Sequence, residues 1–494
     1  MKRVIVIGSG GAGLTAAITA RKAGFEVLVI SKTSRGLGTC TAYSAGIFSL
    51  ACGGVSPAEH YEKTMQTGGG INDKDMVRVL SEEAEKALMT LKDWGVNIRL
   101  GRGTASARAS APNEIMGGAG FEKELVRIAE GCGVKFIDWT AVTSVSTKGD
   151  MTNGVCVRNW RTGKASFLAA GCVIIATGGG GQIYSRTDNP SRITGDGYAL
   201  ALSVGLSLRD MEFVQFYPLG WAEERFPRWM ADLGLADYVR ITDSDGDEFL
   251  KRAINKWGYK DGSEANLYAR DKCAVLVYQK DREGGVYAHL EDLTDDMLNG
   301  PRLKYCLTLE ADFFKKRRRP MRVAPLEHYF CGGIKTDAWG RTQVKGLYAC
   351  GEAAGGVDGA NRVGGNALAG IVTFGLRTGH AAAEECRDIS QSAGPACTAY
   401  GGMLAQSDRG LDVKELRRDL QEKVWRYAGP VRRLNELDDC LAYLSEFKKI
   451  KVKINGAVDL LYALEMDGLV MTAEAVAKAA SNRKESLGVH YIER

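Results

Sequence analysis

The chain opens on Arg3-Val4-Ile5-Val6-Ile7-Gly8-Ser9-Gly10-Gly11-Ala12-Gly13, and this stretch decides the fold. A short, continuous apolar run rich in β-branched residues predicts a strand buried on both faces, as in a parallel sheet. It feeds directly into G-x-G-x-x-G, after which small and apolar residues continue as a helix. In that setting Gly8 permits the tight turn, Gly10 lets the backbone approach a pyrophosphate, and Gly13 lets the helix pack on the strand. The helix N-terminus then faces the phosphate charge. A second strand from Glu26 to Ser31 completes a βαβ unit, so a dinucleotide-binding domain is expected.

The end of that second strand qualifies the reading. A typical NAD site has Asp or Glu there, and this chain has Ser31-Lys32. Ser31 retains a hydroxyl for a ribose; Lys32 either joins it or is simply solvated. The missing acid weakens a plain NAD assignment.

Composition sets outer bounds. A chain of 494 residues with 45% hydrophobic and 25% charged residues has room for several domains and cannot be wholly disordered. A net charge of +5 is too small to mark a nucleic-acid binder. Glycine is in excess, 61 residues with only 10 prolines, which points to many close backbone approaches to a bound group. The 12 cysteines include no C-x-x-C, so zinc or iron–sulfur spacing is absent and no metal site is expected. Their scatter fits a reduced compartment better than a disulfide framework. No secretory signal precedes the first strand and no apolar run approaches ~20 residues, so a cytoplasmic protein without a membrane span is expected.

Further strands of the buried type recur at Cys172–Ala176 and Gly346–Cys350, each running into small residues as it would beside a ligand. Between them, from about 216 to 325, the text is more charged and aromatic, which marks an inserted domain. The divisions read as 1–215 and 326–395 for the two parts of the nucleotide-binding domain, 216–325 for the insertion, and 396–494 for a helical C-terminal domain. In the last, Asp412 and Glu415 predict a helix start, with Val413, Leu416, Leu420 and Val424 on one face. Gly429-Pro430 breaks it before a second amphipathic face through Leu437 and Leu444. Lys315-Lys316-Arg317-Arg318-Arg319 is a dense charge run, either a solvated helix end or a contact for an anionic partner.

A series of motifs then appears in order: Ala176-Thr177-Gly178-Gly179, Thr194-Gly195-Asp196-Gly197, Met211-Glu212-Phe213-Val214-Gln215-Phe216, Ala269-Arg270-Asp271-Lys272, His328-Tyr329-Phe330-Cys331-Gly332-Gly333, Gly351-Glu352, and Asn361-Arg362-Val363-Gly364-Gly365-Asn366-Ala367-Leu368. Arg483-Lys484-Glu485-Ser486 closes it. The chain resembles, over nearly its whole length, the flavoprotein family of succinate dehydrogenase, fumarate reductase and L-aspartate oxidase. The resemblance implies an α/β fold: a Rossmann-like FAD-binding domain, an inserted α+β capping domain and a C-terminal helical domain. It implies FAD along Gly8, Gly10, Gly11, Ala12 and Gly13, with adenosine near Ser31 and Lys32. Thr39, Cys40, Thr41, Ala176, Thr177, Gly178, Asp196, Glu352, Ala367 and Leu368 match further cofactor positions. Gly364-Gly365-Asn366 would open an apolar helix whose N-terminus faces the flavin. Some members tether FAD through a histidine near position 40; Cys40 stands there or beside it, so non-covalent FAD is expected, with a thioether as the alternative.

The same resemblance places substrate on Arg362 and His328, whose forked and ring N–H groups grip a carboxylate, and makes Arg270 the proton donor. An arginine is a weak acid unless its proton is replaced concertedly, so a relay is needed. Here the chain departs from the pattern. Where the family has a second substrate-binding His, this chain has Tyr217, and the relay stretch reads Ala231, Asp232 and Leu235. Trp221, Phe226 and Trp229 nearby either line a pocket for an apolar tail or pack the cap. The expectation is C=C reduction or desaturation next to a carboxylate or related carbonyl, on a substrate other than fumarate or succinate. The alternatives are an amino or hydroxy acid oxidase and an electron-transfer subunit without small-molecule turnover. An iron–sulfur or other redox protein would serve as external electron partner.

Overall fold

Five parallel strands form the central sheet, in the order Leu347–Ala349, Cys172–Ile175, Arg3–Ile7, Glu26–Ile30, Lys135–Ile137. The structure, a computed structural model, describes residues 2–108, 117–224, 226, 228–300, 303, 318–386, 397 and 404–493. Alternation sorts the two faces of the sheet. Ile5, Ile7, Val173 and Ile175 enter the core shared with the C-terminal helices, while Val4, Val6, Cys172 and Ile174 enter the core beneath the helices Gly11–Lys22 and Asn366–Glu385. Burial of each such Val or Ile side chain stabilises by about 1.5–3 kcal/mol, which favours placing so apolar a run at the centre of the sheet.

The inserted part is built on an antiparallel sheet, in the order Val214–Trp221, Pro320–Phe330, Val286–His289, Ile241–Asp243. Helices Phe249–Lys256, Gly262–Tyr268 and Arg270–Glu283 cover it, around a core of its own that includes Leu219, Leu235, Leu250 and Val277. Phe226 packs edge to face on Trp221 and on Trp229, each at 6.3 Å, and the three join this core, which favours cap packing over a substrate pocket.

The helices Val413–Ala428, Leu434–Phe447 and Ala457–Asn482 make up the C-terminal part. Asp412 caps the first, accepting hydrogen bonds from the N–H groups of Lys414 and Glu415 at 2.7 and 3.2 Å. No helix among the described residues is long and apolar enough to cross a membrane. Of the charge run, Lys315 to Arg317 lie outside the described residues; Arg318 pairs with Asp295, and Arg319 with Glu223. One expectation needs correction: Cys156 and Cys397 form a disulfide across 241 residues of sequence. Their separation in the chain left no local spacing from which to read it.

Candidate functional site

The glycine turn after the first strand is a backbone cradle. Gly8 has φ +111°, and a Cβ there would stand 2.2 Å from the Ala176 carbonyl oxygen. A Cβ on Gly13 would meet the Gly8 carbonyl at 2.2 Å, so the helix can start only this close to the strand without side chains. Thr41 Oγ1 accepts the Gly11 N–H at 3.1 Å, and Thr39 caps the short helix Cys40–Tyr43. Ser31 is bonded to Ser9 through their hydroxyls at 3.1 Å. Lys32 is not solvated: its Nζ lies 2.7 Å from Asp196 and 2.9 Å from Glu465, so two of the predicted cofactor residues hold each other.

Opposite this cradle the helix Asn366–Glu385 begins on Gly365, at φ +87°. The N–H groups of its first turn, Ala367 and Leu368 among them, have no partner inside the helix. Asn366 is locked by His60 at 2.9 Å and Thr64 at 3.1 Å. Glu352 accepts the Phe330 N–H at 3.0 Å, and burial pushes its carboxyl up to about 7. The Cys40 thiol lies 3.4 Å from Asn189 Oδ1 and is pushed up by burial first, then by the nearby Glu352.

Where the cap meets this domain, four predicted side chains come together. The Arg270 guanidinium carbon stands 5.0 Å from the Tyr217 ring centre, and the His328 ring meets Tyr217 at 5.8 Å. Arg362 lies flat on Tyr329 at 4.0 Å and donates to Gln215 Oε1 at 3.1 Å. Its Nε is buried without a hydrogen-bond partner. A buried donor left open costs about 1–3 kcal/mol, a cost that an anionic ligand would relieve. Burial lowers the proton affinity of Arg270, and the charge of Arg362 lowers it further. Burial also raises Asp358, beside Arg362, to about 6.

A family profile described as FAD binding domain matches residues 3–368, and one described as fumarate reductase flavoprotein C-term matches residues 417–493. The chain belongs to the fumarate reductase and succinate dehydrogenase flavoprotein family. One subunit of the fumarate reductase (CoM/CoB) of Methanothermobacter marburgensis is 31% identical over 99% of this chain and 94% of its own length. The L-aspartate oxidase of Streptomyces coelicolor is 29% identical over 99% and 88%, respectively. Among solved structures, E. coli quinol fumarate reductase superposes with a TM-score of 0.83 at 25% identity, covering 100% of this chain and 92% of that one.

As a member of this flavoprotein family the protein is an FAD-dependent oxidoreductase, and the residues present fit FAD. The tight turn and close strand–helix packing that Gly8 and Gly13 allow suit a pyrophosphate at the helix start, and the helix opening at Asn366 offers N–H groups to a flavin edge. Three polar residues escaped the sequence reading. Asp188 holds His328 Nδ1 at 2.8 Å, Gln215 holds Arg362, and Asn266 binds both Tyr217 and Arg270. Gln215 stood inside a motif and was readable; the other two act through distant contacts. Leu235, at the relay arginine's place, is wholly buried in the cap core and carries no proton.

Proposed function

We propose that this flavoprotein interconverts a C=C and a C–C bond next to a single carboxylate, with the rest of the substrate uncharged where the family holds a second carboxylate. The observation that carries the reading is the state of Tyr217. Its hydroxyl donates to Asn266 at 3.0 Å and accepts the Leu233 N–H at 3.2 Å, so it presents a ring and no free donor. Ala231 and Leu235 are buried and apolar on the same turn. Arg362 and His328 bind the one carboxylate, and Asp188 holds the His328 ring in place through Nδ1 at 2.8 Å. FAD supplies the hydride chemistry when bound. Arg270 holds the proton at an Nη atom and gives it to the other carbon, a proton from solvent replacing it in the same step. Oxidation of an amino acid, as the name of the S. coelicolor relative suggests, meets the same lack of a second clamp.

With this reading go the domain division given above, non-covalent FAD beside a protonated Cys40, and an external redox protein, with an iron–sulfur protein the expected type. A cytoplasmic setting goes with the same reading, with Cys156–Cys397 the disulfide among the described cysteines. Arg270→Met tests the chemistry. The variant should keep FAD and its reduction by dithionite while losing turnover; a pure electron carrier would keep transferring electrons, which contradicts the proposal.

A further inference from the structure

We propose that Asn266 is the positioning residue for Arg270: its amide ties one edge of the guanidinium, and Asp232 holds the amide in place. The inference rests on Arg270 as proton donor, as given above, and adds no chemical step to it.

Asn266 Oδ1 accepts from Arg270 Nε at 3.1 Å and from the Tyr217 hydroxyl at 3.0 Å. On its other side Nδ2 donates to Asp232 Oδ2 at 3.2 Å. The reversed amide would set its NH2 against the Arg270 donor and its oxygen against a carboxylate, so the network fixes the orientation. Since Tyr217 already accepts the Leu233 N–H, its own proton is directed at Asn266. Asp232 is anchored in turn, its Oδ1 accepting the Gly234 N–H at 2.8 Å. The clamp thus starts on a backbone turn and ends on Nε of the guanidinium.

Tying Nε leaves the Nη atoms for the substrate. Nη2 lies 3.6 Å from the place a Cβ on Gly364 would take, beside the turn that opens the helix Asn366–Glu385. An amide does this better than an acid would. A carboxylate at position 266 would stand about 3 Å from Asp232, where two negative charges cannot both persist. It would also hold the guanidinium proton more tightly, against what burial and Arg362 do to Arg270. The sequence separates Asn266 from Asp232 by 34 residues, so the pair forms only in the folded cap.

The test uses the FAD-loaded protein and four variants: Asn266→Ala, Asn266→Asp, Asp232→Asn and the exchange N266D/D232N. FAD content and melting temperature report folding. Hydrogen exchange of the Arg270 Nε–H is followed by NMR with labelled arginine, the signal being assigned by its loss in Arg270→Lys. Reoxidation of the photoreduced protein by crotonate, across pH, reports proton delivery. Asn266→Ala should unprotect the Nε–H and slow reoxidation on the order of 10²-fold, the effect of a misplacement near 1 Å. The exchange variant removes the pair of carboxylates that Asn266→Asp creates and should recover both readouts relative to that variant. Unchanged Nε–H exchange in a folded Asn266→Ala, or an exchange variant no better than Asn266→Asp, overturns the inference. If crotonate fails to reoxidise even the unaltered protein, the proposed reaction is what fails, and the Nε–H exchange still decides the role of Asn266.

Discussion

The rings of Tyr217 and His328 meet edge to face with their centres 5.8 Å apart, so on the proposed reading the residue standing in the second carboxylate position packs directly on the proposed first ligand. Their contact leaves a wall of aromatic carbon where a dicarboxylate would need a donor. Tyr217→His should therefore raise kcat/KM for fumarate relative to crotonate by about tenfold, or ~1.4 kcal/mol of discrimination. Steady-state rates with a reduced dye measure the ratio; an unchanged ratio would remove Tyr217 from substrate choice.

Arg362 offers a flat fork stacked on Tyr329 and an open Nε. Lysine supplies charge but neither the fork nor the stack. Arg362→Lys is expected to weaken carboxylate binding by about 2–5 kcal/mol, seen as a raised KM and as loss of the flavin spectral change on titration with crotonate. A KM within threefold of the unaltered protein would argue that the carboxylate sits elsewhere.

Gly8→Ala places a methyl 2.2 Å from the Ala176 carbonyl at a φ of +111°. Strain at such a position costs about 1–3 kcal/mol before any clash is counted. The purified variant should carry well under half the FAD per chain of the unaltered protein, by absorbance after denaturation. Full occupancy would mean that the turn has slack the structure does not show.

His490 gives stability a signed dependence on pH. Its Nδ1 accepts from Arg432 at 2.7 Å and its Nε2–H donates to the Arg483 carbonyl at 3.0 Å, which requires the neutral ring. Burial first, then the Arg432 charge, lowers its pKa to about 3. Below ~6.5 the unfolded chain takes a proton that the native ring refuses. This contribution is therefore complete above ~6.5 and is lost as pH falls, by at most ~1.4 kcal/mol per unit. Melting curves from pH 7 to 4 should fall less steeply for His490→Gln than for the unaltered protein. Parallel curves would contradict the neutral pairing.

How far the sequence carries the reader depends on how local each signal is. The strand Arg3–Ile7, the Gly8–Gly13 turn and the Asp412 cap are written in consecutive residues, and each forms where its pattern says. Leu235 and Ala231 were legible as departures, because a motif gave them a place to be missing from. Asn266, Asp188 and the Lys32–Asp196 pair were not, since their meaning lies in partners that only the fold brings near. The same holds for the Cys156–Cys397 disulfide. At the end of a strand Lys32 reads as a ribose contact or a solvated charge, and its pairing with Asp196 and Glu465 excludes the second.

The most direct test of the single-carboxylate site is anaerobic photoreduction of the purified flavoprotein, followed by rapid mixing with fumarate and, separately, with crotonate and cinnamate. Reoxidation at catalytic rates by a singly charged alkene, with fumarate slow, is the predicted result. Fast reoxidation by fumarate would show that a second carboxylate finds a clamp despite Tyr217, and would contradict the account.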